Sequence, residues 1–460
     1  MTIVANRFDL IVIGDGAAGD SVVRPAASSG KHVALVEKDR LGGECLNYGC
    51  VHNKALYKSA EVYRLMQRAG DFGVTAKGVE LDFPAVMARA QNAIETIRGD
   101  NPWGGVRDDG IASFHAPARF VRPHKVEVDG QVLEADQIVI PTGTKAGLPP
   151  IRGLAEAEPL TNESVFRLQT LPDSLAVIGA GAISVELSQI FQRFGSQVTL
   201  LEALPSVLPT EDEEISNGLQ RVLLGEGVRV FTAAQVTRVQ RQEDGSRRID
   251  FEQEGQGHTL QVSEILVAAG RVPQIANLNL EAAGVETRRG WLQVDDEFRT
   301  NVPHIWGACD VSGGMQFTHV AAAKGDAVFR NAVLGEHTTL DLRAIPYAVF
   351  SDPEVGHVGI TEQQAIEQGI EYEVSRFDPT EFDRSIIARD ETGLIKLIAT
   401  PGGKEILGAH ILAAHGGDLI NEIALAMQTR LILRQLAGTI HAYPTLPESL
   451  RWAATSFLGE

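Results

Sequence analysis

The chain has 460 residues, 44% of them hydrophobic, and a formal net charge of −19 at pH 7. At roughly 150 residues per domain this length predicts two to four domains, about three. The acidic balance repels polyanions, no Lys/Arg block interleaves with aromatics, and no apolar run reaches the roughly 18 to 20 residues of a membrane span, so neither nucleic acid nor a membrane is expected as a partner.

The N-terminus lacks a basic n-region and a cleavage site, and its first apolar run enters a glycine turn, so it reads as a core strand rather than a signal peptide. Three cysteines make no disulfide framework. A reducing, cytoplasmic setting is expected, where closely spaced cysteines serve catalysis or metal binding.

In chain order, "DLIVIGDGAAGDSVVRPAASSGKHVALVEK" from Asp9 reads as a buried strand, a turn with Gly14, Gly16 and Gly19, a helix-period segment, and a second strand ending at Glu37. Such glycines permit a tight turn and let backbone N–H groups reach a pyrophosphate at a helix N-terminus, while the acid accepts a ribose 2′-hydroxyl. Next, "LGGECLNYGCVHNK" from Leu41 sets Cys45 and Cys50 five positions apart on a turn into a helix. The residues alone leave three readings open: a redox pair, half of a metal site, or small packing residues. His52 is two positions beyond Cys50, and because successive helix positions point apart it is expected to face solvent. Lys54 lies one helical turn beyond Cys50, on the same side.

The first pattern returns from Ser174 as "SLAVIGAGAISVELSQIFQRFGSQVTLLEA", with Gly179, Gly181, Ser184 at the third glycine position, and Glu202. Each acid lies 23 residues beyond its first glycine. Two copies with matched acids predict two nucleotide sites. Glu202 repels a 2′-phosphate, and from Phe194 to Gln220 there is no Lys, Arg or His to bind one, which favours NAD(H) over NADP(H).

These two repeats, the CxxxxC after the first, "PTG" at Pro141 to Gly143, "AAGRVP" ending at Pro273, "PHIWGACD" ending at Asp310 and "HAYPTLPE" near the C-terminus together resemble the pyridine nucleotide-disulfide oxidoreductases. That family of flavoenzymes includes dihydrolipoamide dehydrogenase, glutathione reductase and mercuric reductase, and the resemblance spans nearly the whole chain. It implies an α/β chain of two Rossmann-like dinucleotide-binding domains plus an α+β C-terminal dimerisation domain. The implied boundaries are 1–145 for FAD, completed by 271–338, then 146–270 for NAD and 339–460 for dimerisation. FAD would be held by Gly14, Gly16, Gly19, Glu37, Lys38, Gly43, Thr142, Gly143 and Asp310, and NAD(H) by Gly179, Gly181, Glu202, Gly270 and Arg271. The resemblance further implies a Cys45–Cys50 disulfide facing the flavin opposite the nicotinamide, with Cys50 nearer the flavin and Cys45 exchanging with substrate. Lys54 would pair with Glu186 beside the flavin, and a homodimer would complete each active site with the partner's C-terminal tail. No metal ligands are expected, and Cys309, where the family has glycine, is expected to be structural.

Two departures stand out. Dithiol enzymes of the family carry a histidine where "HAYPTLPE" has Tyr443, with Glu448 as the matching acid. A histidine near pKa 6.5 takes and returns protons at neutrality, whereas a tyrosine near 10 donates a hydrogen bond but is a poor base. His441 is the nearby candidate, although a loop histidine so placed is more often a surface or packing residue. His52 replaces the proline usual in relatives. Mercuric reductases share the tyrosine but use a C-terminal cysteine pair, which this chain lacks after Cys309; soluble transhydrogenases share it but usually lack an intact cysteine pair.

The expected function is FAD-dependent electron transfer between NAD(H) and a small or protein-bound disulfide or dithiol, closest to dihydrolipoamide dehydrogenase. The alternatives are NADH-dependent reduction of a metal ion, quinone or other small disulfide, and a non-enzymatic redox sensor.

Overall fold

The computed structural model describes residues 6–459, which form two compact units. The first comprises residues 6–55, 88–147 and 270–340. Strand β1 (Asn6–Ile13) enters helix α1 (Ala17–Ser28) through the glycine turn, and β2 (Val33–Glu37) returns parallel to β1. All five residues of β2 are buried, as a strand covered on both faces requires. The sheet runs Ala112–His115, β2, β1, Gln131–Ile140, Lys125–Val128, Ala118–Arg122, and Ile305–Gly307 pairs with Gln131–Ile140.

Close backbone approach explains the glycines that matter here. A Cβ on Gly14, at φ +122°, would lie 2.9 Å from the Pro141 carbonyl oxygen, and one on Gly19 would lie 2.0 Å from that of Gly14. Helix α1 therefore begins flush against the end of β1. Past β2, helix α2 (Gly43–Tyr48) and helix α3 (Cys50–Gln67) are separated by Gly49. Gly43 has φ +63°, and a Cβ on it would stand 2.6 Å from Gly16 Cα. Helix Thr318–Leu334 packs against α1, where a Cβ on Gly325 would meet the Ala18 oxygen at 2.4 Å.

The second unit comprises residues 56–87, 148–269 and 341–459. Its parallel sheet, Arg229–Phe231, Gln197–Leu201, Ser174–Ile178, Glu264–Val267, repeats the strand order of the first. The turn repeats too: Gly16 has φ −75° and ψ −177°, Gly181 φ −74° and ψ −178°. The α/β class with two Rossmann-like repeats is thus the fold observed.

A five-stranded antiparallel sheet, in the order Tyr347–Val349, Glu354–Gly359, Ile406–Ala413, Leu394–Ala399, Glu373–Phe377, completes the unit. Helices Gly416–Gln428 and Glu448–Phe457 pack on this sheet, burying Ile395, Leu397, Ala409 and Ile411. Across the sheet, the registers align Tyr347, His357, His410, Lys396 and Arg376 in one row. Buried Lys396 bonds Asp212 at 2.8 Å, Glu214 at 2.7 Å and Glu362 at 2.6 Å, so this row meets the acidic start of helix Glu213–Gly225. Among the described residues no helix is long and apolar enough to cross a membrane.

The glycine contacts predict unequal costs for equal chemistry. Gly30→Ala, at φ +82° with open space, should cost about 1 kcal/mol for its left-handed backbone. Gly43→Ala adds the overlap with Gly16 and should cost about 2 to 4 kcal/mol. Urea denaturation of both variants checks this; equal losses would show that the Gly16–Gly43 approach is not required.

Candidate active site around Cys45 and Cys50

Cys45 and Cys50 are bonded to each other, with Cα atoms 4.9 Å apart. Of the three readings the residues left open, the structure selects the disulfide. Cys45 is half-buried in α2; Cys50 is exposed and is the first residue of the 18-residue α3. A helix start favours the thiolate once the bond is reduced. Cys50 Sγ also lies 3.6 Å from Thr318 Oγ1, at the start of the helix packed on α1.

Two residues that sequence reading passed over hold this loop. Asn47 is 3% exposed, and its Nδ2 donates to the Gly43 oxygen at 2.8 Å and the Leu41 oxygen at 3.0 Å, while Oδ1 accepts from Arg98. Asp15 lies inside the first glycine turn and receives the Gly42 N–H on Oδ2 at 2.9 Å and on its backbone oxygen at 3.1 Å. The available signals were an amide between two cysteines and an acid in a turn built for a phosphate. Burial pushes the Asp15 carboxyl from 3.8 up to about 7, against the Gly42 N–H that favours the charged form.

Glu37 and Glu202 occupy matching positions, each already bracing its own turn. Glu37 accepts from Asp15 N at 2.9 Å and Asp39 N at 2.8 Å; Glu202 accepts from Ala180 N at 2.6 Å and Leu204 N at 2.8 Å. Each carboxylate oxygen keeps a further lone pair, so both remain able to accept a ribose hydroxyl. In the second turn a Cβ on Gly179 would lie 2.8 Å from the Ala268 oxygen, and fully buried Ser184 donates to that same oxygen at 3.4 Å. Its hydroxyl thus finds an acceptor where the first turn has Gly19.

The remaining first-site residues gather in the same unit. Asp310 accepts from Thr144 Oγ1 at 3.3 Å, and burial pushes its carboxyl up despite Arg271 and Lys324. Lys38 donates to Gln274 at 2.7 Å, and Gly143 sits at φ +68°. Among the described residues, Thr142 Oγ1 and Asp15 Oδ1 are buried without a hydrogen-bond partner. Orphaned polar atoms beside side-chain-free turns fit a polar, phosphate-bearing cofactor such as FAD. Cys309 is buried at φ +64°, in the left-handed region that favours glycine, and burial pushes its thiol up to about 12.

The structure corrects one expectation, that for His52, and locates the other residues. Arg271 and Gly270, expected at the NAD site, belong to the first unit: Arg271 bonds Glu44 and Thr144, and the Gly270 oxygen accepts from Gly147 N at 3.0 Å. His52 does not face solvent; it is 7% exposed and bonded to Gln91 of α4 (Phe83–Arg98), with burial lowering its pKa. Its direction is set by α4, not by the offset from Cys50. Tyr443 is 69% exposed and donates to Asp383, a bond that raises its pKa, while Glu448, its expected partner acid, is buried at the start of helix Glu448–Phe457. His441, expected as a surface or packing residue, pairs through Nε2 with Glu422 at 2.8 Å. Lys54 is half-buried on α3, and buried Glu186 accepts from Phe350 N at 2.8 Å.

Comparison with known proteins matches this arrangement. Residues 8–325 match the family described as pyridine nucleotide-disulphide oxidoreductase, and residues 345–454 match that family's dimerisation domain. A mercuric reductase of Streptomyces lividans is 36% identical, over 98% of this chain and 97% of its own. A dihydrolipoyl dehydrogenase of Chlamydia muridarum is 32% identical, over 98% and 96%. The solved Cu(II) complex of RclA, an HOCl-induced flavoprotein disulfide reductase of Escherichia coli, superposes with a TM-score of 0.88 at 29% identity, covering 98% of this chain and 99% of that one. The chain belongs to the pyridine nucleotide-disulphide oxidoreductases, a FAD-dependent family that uses NAD(P)H, and is a flavoprotein disulfide oxidoreductase.

The raised Asp15 pKa predicts a pH-dependent penalty. Its stabilising effect is fully present below about pH 4 and is lost as pH rises through about 7, because the folded state holds the proton longer than the unfolded chain. Asp15→Asn keeps an acceptor for Gly42 and never ionises. In thermal melts of the flavin-loaded protein it should match the parent near pH 4 and exceed it progressively up to about pH 7, with a constant gain above. Parallel curves across that range would contradict the assignment.

Proposed function

We propose that FAD occupies the first glycine turn and NAD(H) the second, and that the enzyme exchanges electrons between NAD(H) and a small or protein-bound disulfide or dithiol in a cytoplasmic setting. When bound, FAD supplies two-electron exchange between a nicotinamide and a dithiol. The uncapped starts of α1 and of helix Ala182–Phe194 offer N–H groups to the two pyrophosphates, and Glu37 and Glu202 accept ribose hydroxyls. Glu202 and the absence of basic residues from Phe194 to Gln220 favour NAD(H) over NADP(H).

The observation that carries the reading is the bonded Cys45–Cys50 pair with Cys50 at the head of α3. With the pair reduced, the Cys45 thiolate attacks a substrate disulfide: a Cys45–substrate bond forms and one substrate thiolate leaves. The Cys50 thiolate then attacks Cys45 sulfur, restoring the Cys45–Cys50 bond and releasing the second substrate thiolate. Each leaving thiolate takes a proton, so two electrons and two protons reach the substrate. In reverse the pair oxidises a dithiol. The C-terminal tail of a second copy would complete each site.

Tyr443, protonated and bonded to Asp383, acts as a hydrogen-bond donor rather than a base. The nearby His441–Glu422 pair supplies an imidazole with a carboxylate to orient it. A second reading, reduction of a thiophilic metal ion, draws on Tyr443 itself, on the mercuric reductase relatives and on the Cu(II) complex of RclA.

The purified flavoprotein should be assayed with dihydrolipoamide plus NAD and with NADH plus lipoamide, other disulfides, quinones, Hg²⁺ or Cu²⁺. Turnover with a dithiol or disulfide, lost by at least about a hundredfold in Cys45→Ser, supports the first reading; turnover confined to metal ions supports the second. No turnover with any pair would leave only a redox sensor.

A further inference from the structure

The sequence offers no metal ligands at motif spacing, yet the second unit gathers three in its interior. His357 and His410 are direct cross-strand partners in the five-stranded sheet, and Glu211 reaches them from the loop before helix Glu213–Gly225. One ligand atom from each residue lies within 4.8 Å of the others, and all three side chains are buried. We propose that Glu211, His357 and His410 form an internal binding site for a divalent transition-metal ion of the zinc type.

Ring orientation carries the proposal. His357 Nε2 meets the Gly359 oxygen at 3.1 Å, and His410 Nε2 meets the Ile360 oxygen at 3.0 Å. Carbonyl oxygens only accept, so both Nε2 atoms bear hydrogen and both Nδ1 atoms point at the carboxylate. Metal-binding histidines are held in this way, one ring nitrogen donating to a backbone carbonyl and the other left for the ion. His357 Nδ1 lies 2.9 Å and His410 Nδ1 3.9 Å from Glu211 Oε2. Around zinc at about 2.0 to 2.1 Å, tetrahedral ligand atoms stand roughly 3.3 Å apart, a spacing the two distances bracket.

The cluster also lacks a satisfying arrangement without a cation. A lone pair on His357 Nδ1 against a carboxylate oxygen is repulsive. A proton there settles that contact, and the Tyr347 hydroxyl bonds the carboxylate, but His410 Nδ1 stays buried with no hydrogen-bond partner among the described residues. One divalent ion bound by two imidazoles and the carboxylate satisfies both imidazole nitrogens. Tyr347 stacks on His357 at 4.3 Å, and its hydroxyl is hydrogen-bonded to Glu211 and Thr210, so it helps hold the carboxylate in place. Bound there, the ion would cross-link the Glu211 loop to the C-terminal sheet.

The test uses the flavin-loaded Cys45→Ser/Cys50→Ser protein, so that the redox thiols cannot hold the metal. After chelation, Co²⁺ should bind one per chain, give the visible ligand-field bands of a four-coordinate nitrogen and oxygen site without thiolate charge transfer, and be displaced by Zn²⁺. Cobalt-edge X-ray absorption should show two imidazoles and no sulfur. His357→Phe with its flavin spectrum intact should lose the ion. Sub-stoichiometric uptake, a coordination shell without imidazole, or unchanged uptake in His357→Phe would each overturn the proposal and leave a protonated histidine–glutamate pair.

Discussion

Gly16 and Gly43 meet backbone to backbone, and that contact sets the placement of the redox pair. Gly16 heads α1, the helix whose start is open to a pyrophosphate; Gly43 heads α2, which carries Cys45. Because Gly43 has no side chain, the cysteine loop lies directly on the nucleotide turn, and Asp15 clamps it there through Gly42. Asn47 then holds the loop from its other side by bonding the Gly43 and Leu41 carbonyls. A residue with a Cβ at Gly43 would lift the disulfide away from the cofactor turn, whatever the chemistry of its sulfurs, whereas one at Gly16 would reach only ordinary contact with Gly43.

The second glycine turn shows the same backbone with a different task. Its helix start matches the first within about a degree, and Glu202 braces its turn as Glu37 braces the first. The two halves diverge beyond the second strand of each repeat. After Glu37 the chain supplies the cysteine loop; after Glu202 it supplies Glu211 and the acidic head of the next helix, which face the row of polar side chains across the C-terminal sheet. One turn geometry thus serves in both halves, and the segment after the acid distinguishes them.

Much of this was legible in the sequence because it rests on short-range spacing. Glycine turns, the acid 23 residues on and the CxxxxC loop each arise from backbone geometry within one supersecondary unit. The contacts that escaped are set by packing between distant segments. The direction of His52 depends on Gln91 in another helix, and Arg271 turns to Glu44 across a separation of 227 residues. The Glu211, His357 and His410 cluster depends on strand register, to which hydrophobic periodicity assigns only a face. Asp15 was in plain view but read as a spacer, because the motif assigns roles to the glycines around it and none to the residue between them.

The departure at Tyr443 bears on substrate more than on the central chemistry. Thiol–disulfide exchange needs a thiolate and a route for protons, and the first is provided by the helix start beneath Cys50, independent of the C-terminal segment. The most direct measurement is therefore anaerobic titration of the yellow protein with NADH, monitored in the visible spectrum. A long-wavelength band from the Cys50 thiolate against oxidised flavin is expected, present in Cys45→Ser and absent in Cys50→Ser. Bleaching of the flavin with no such band, or an identical band in Cys50→Ser, would contradict a sulfur centre in contact with the cofactor.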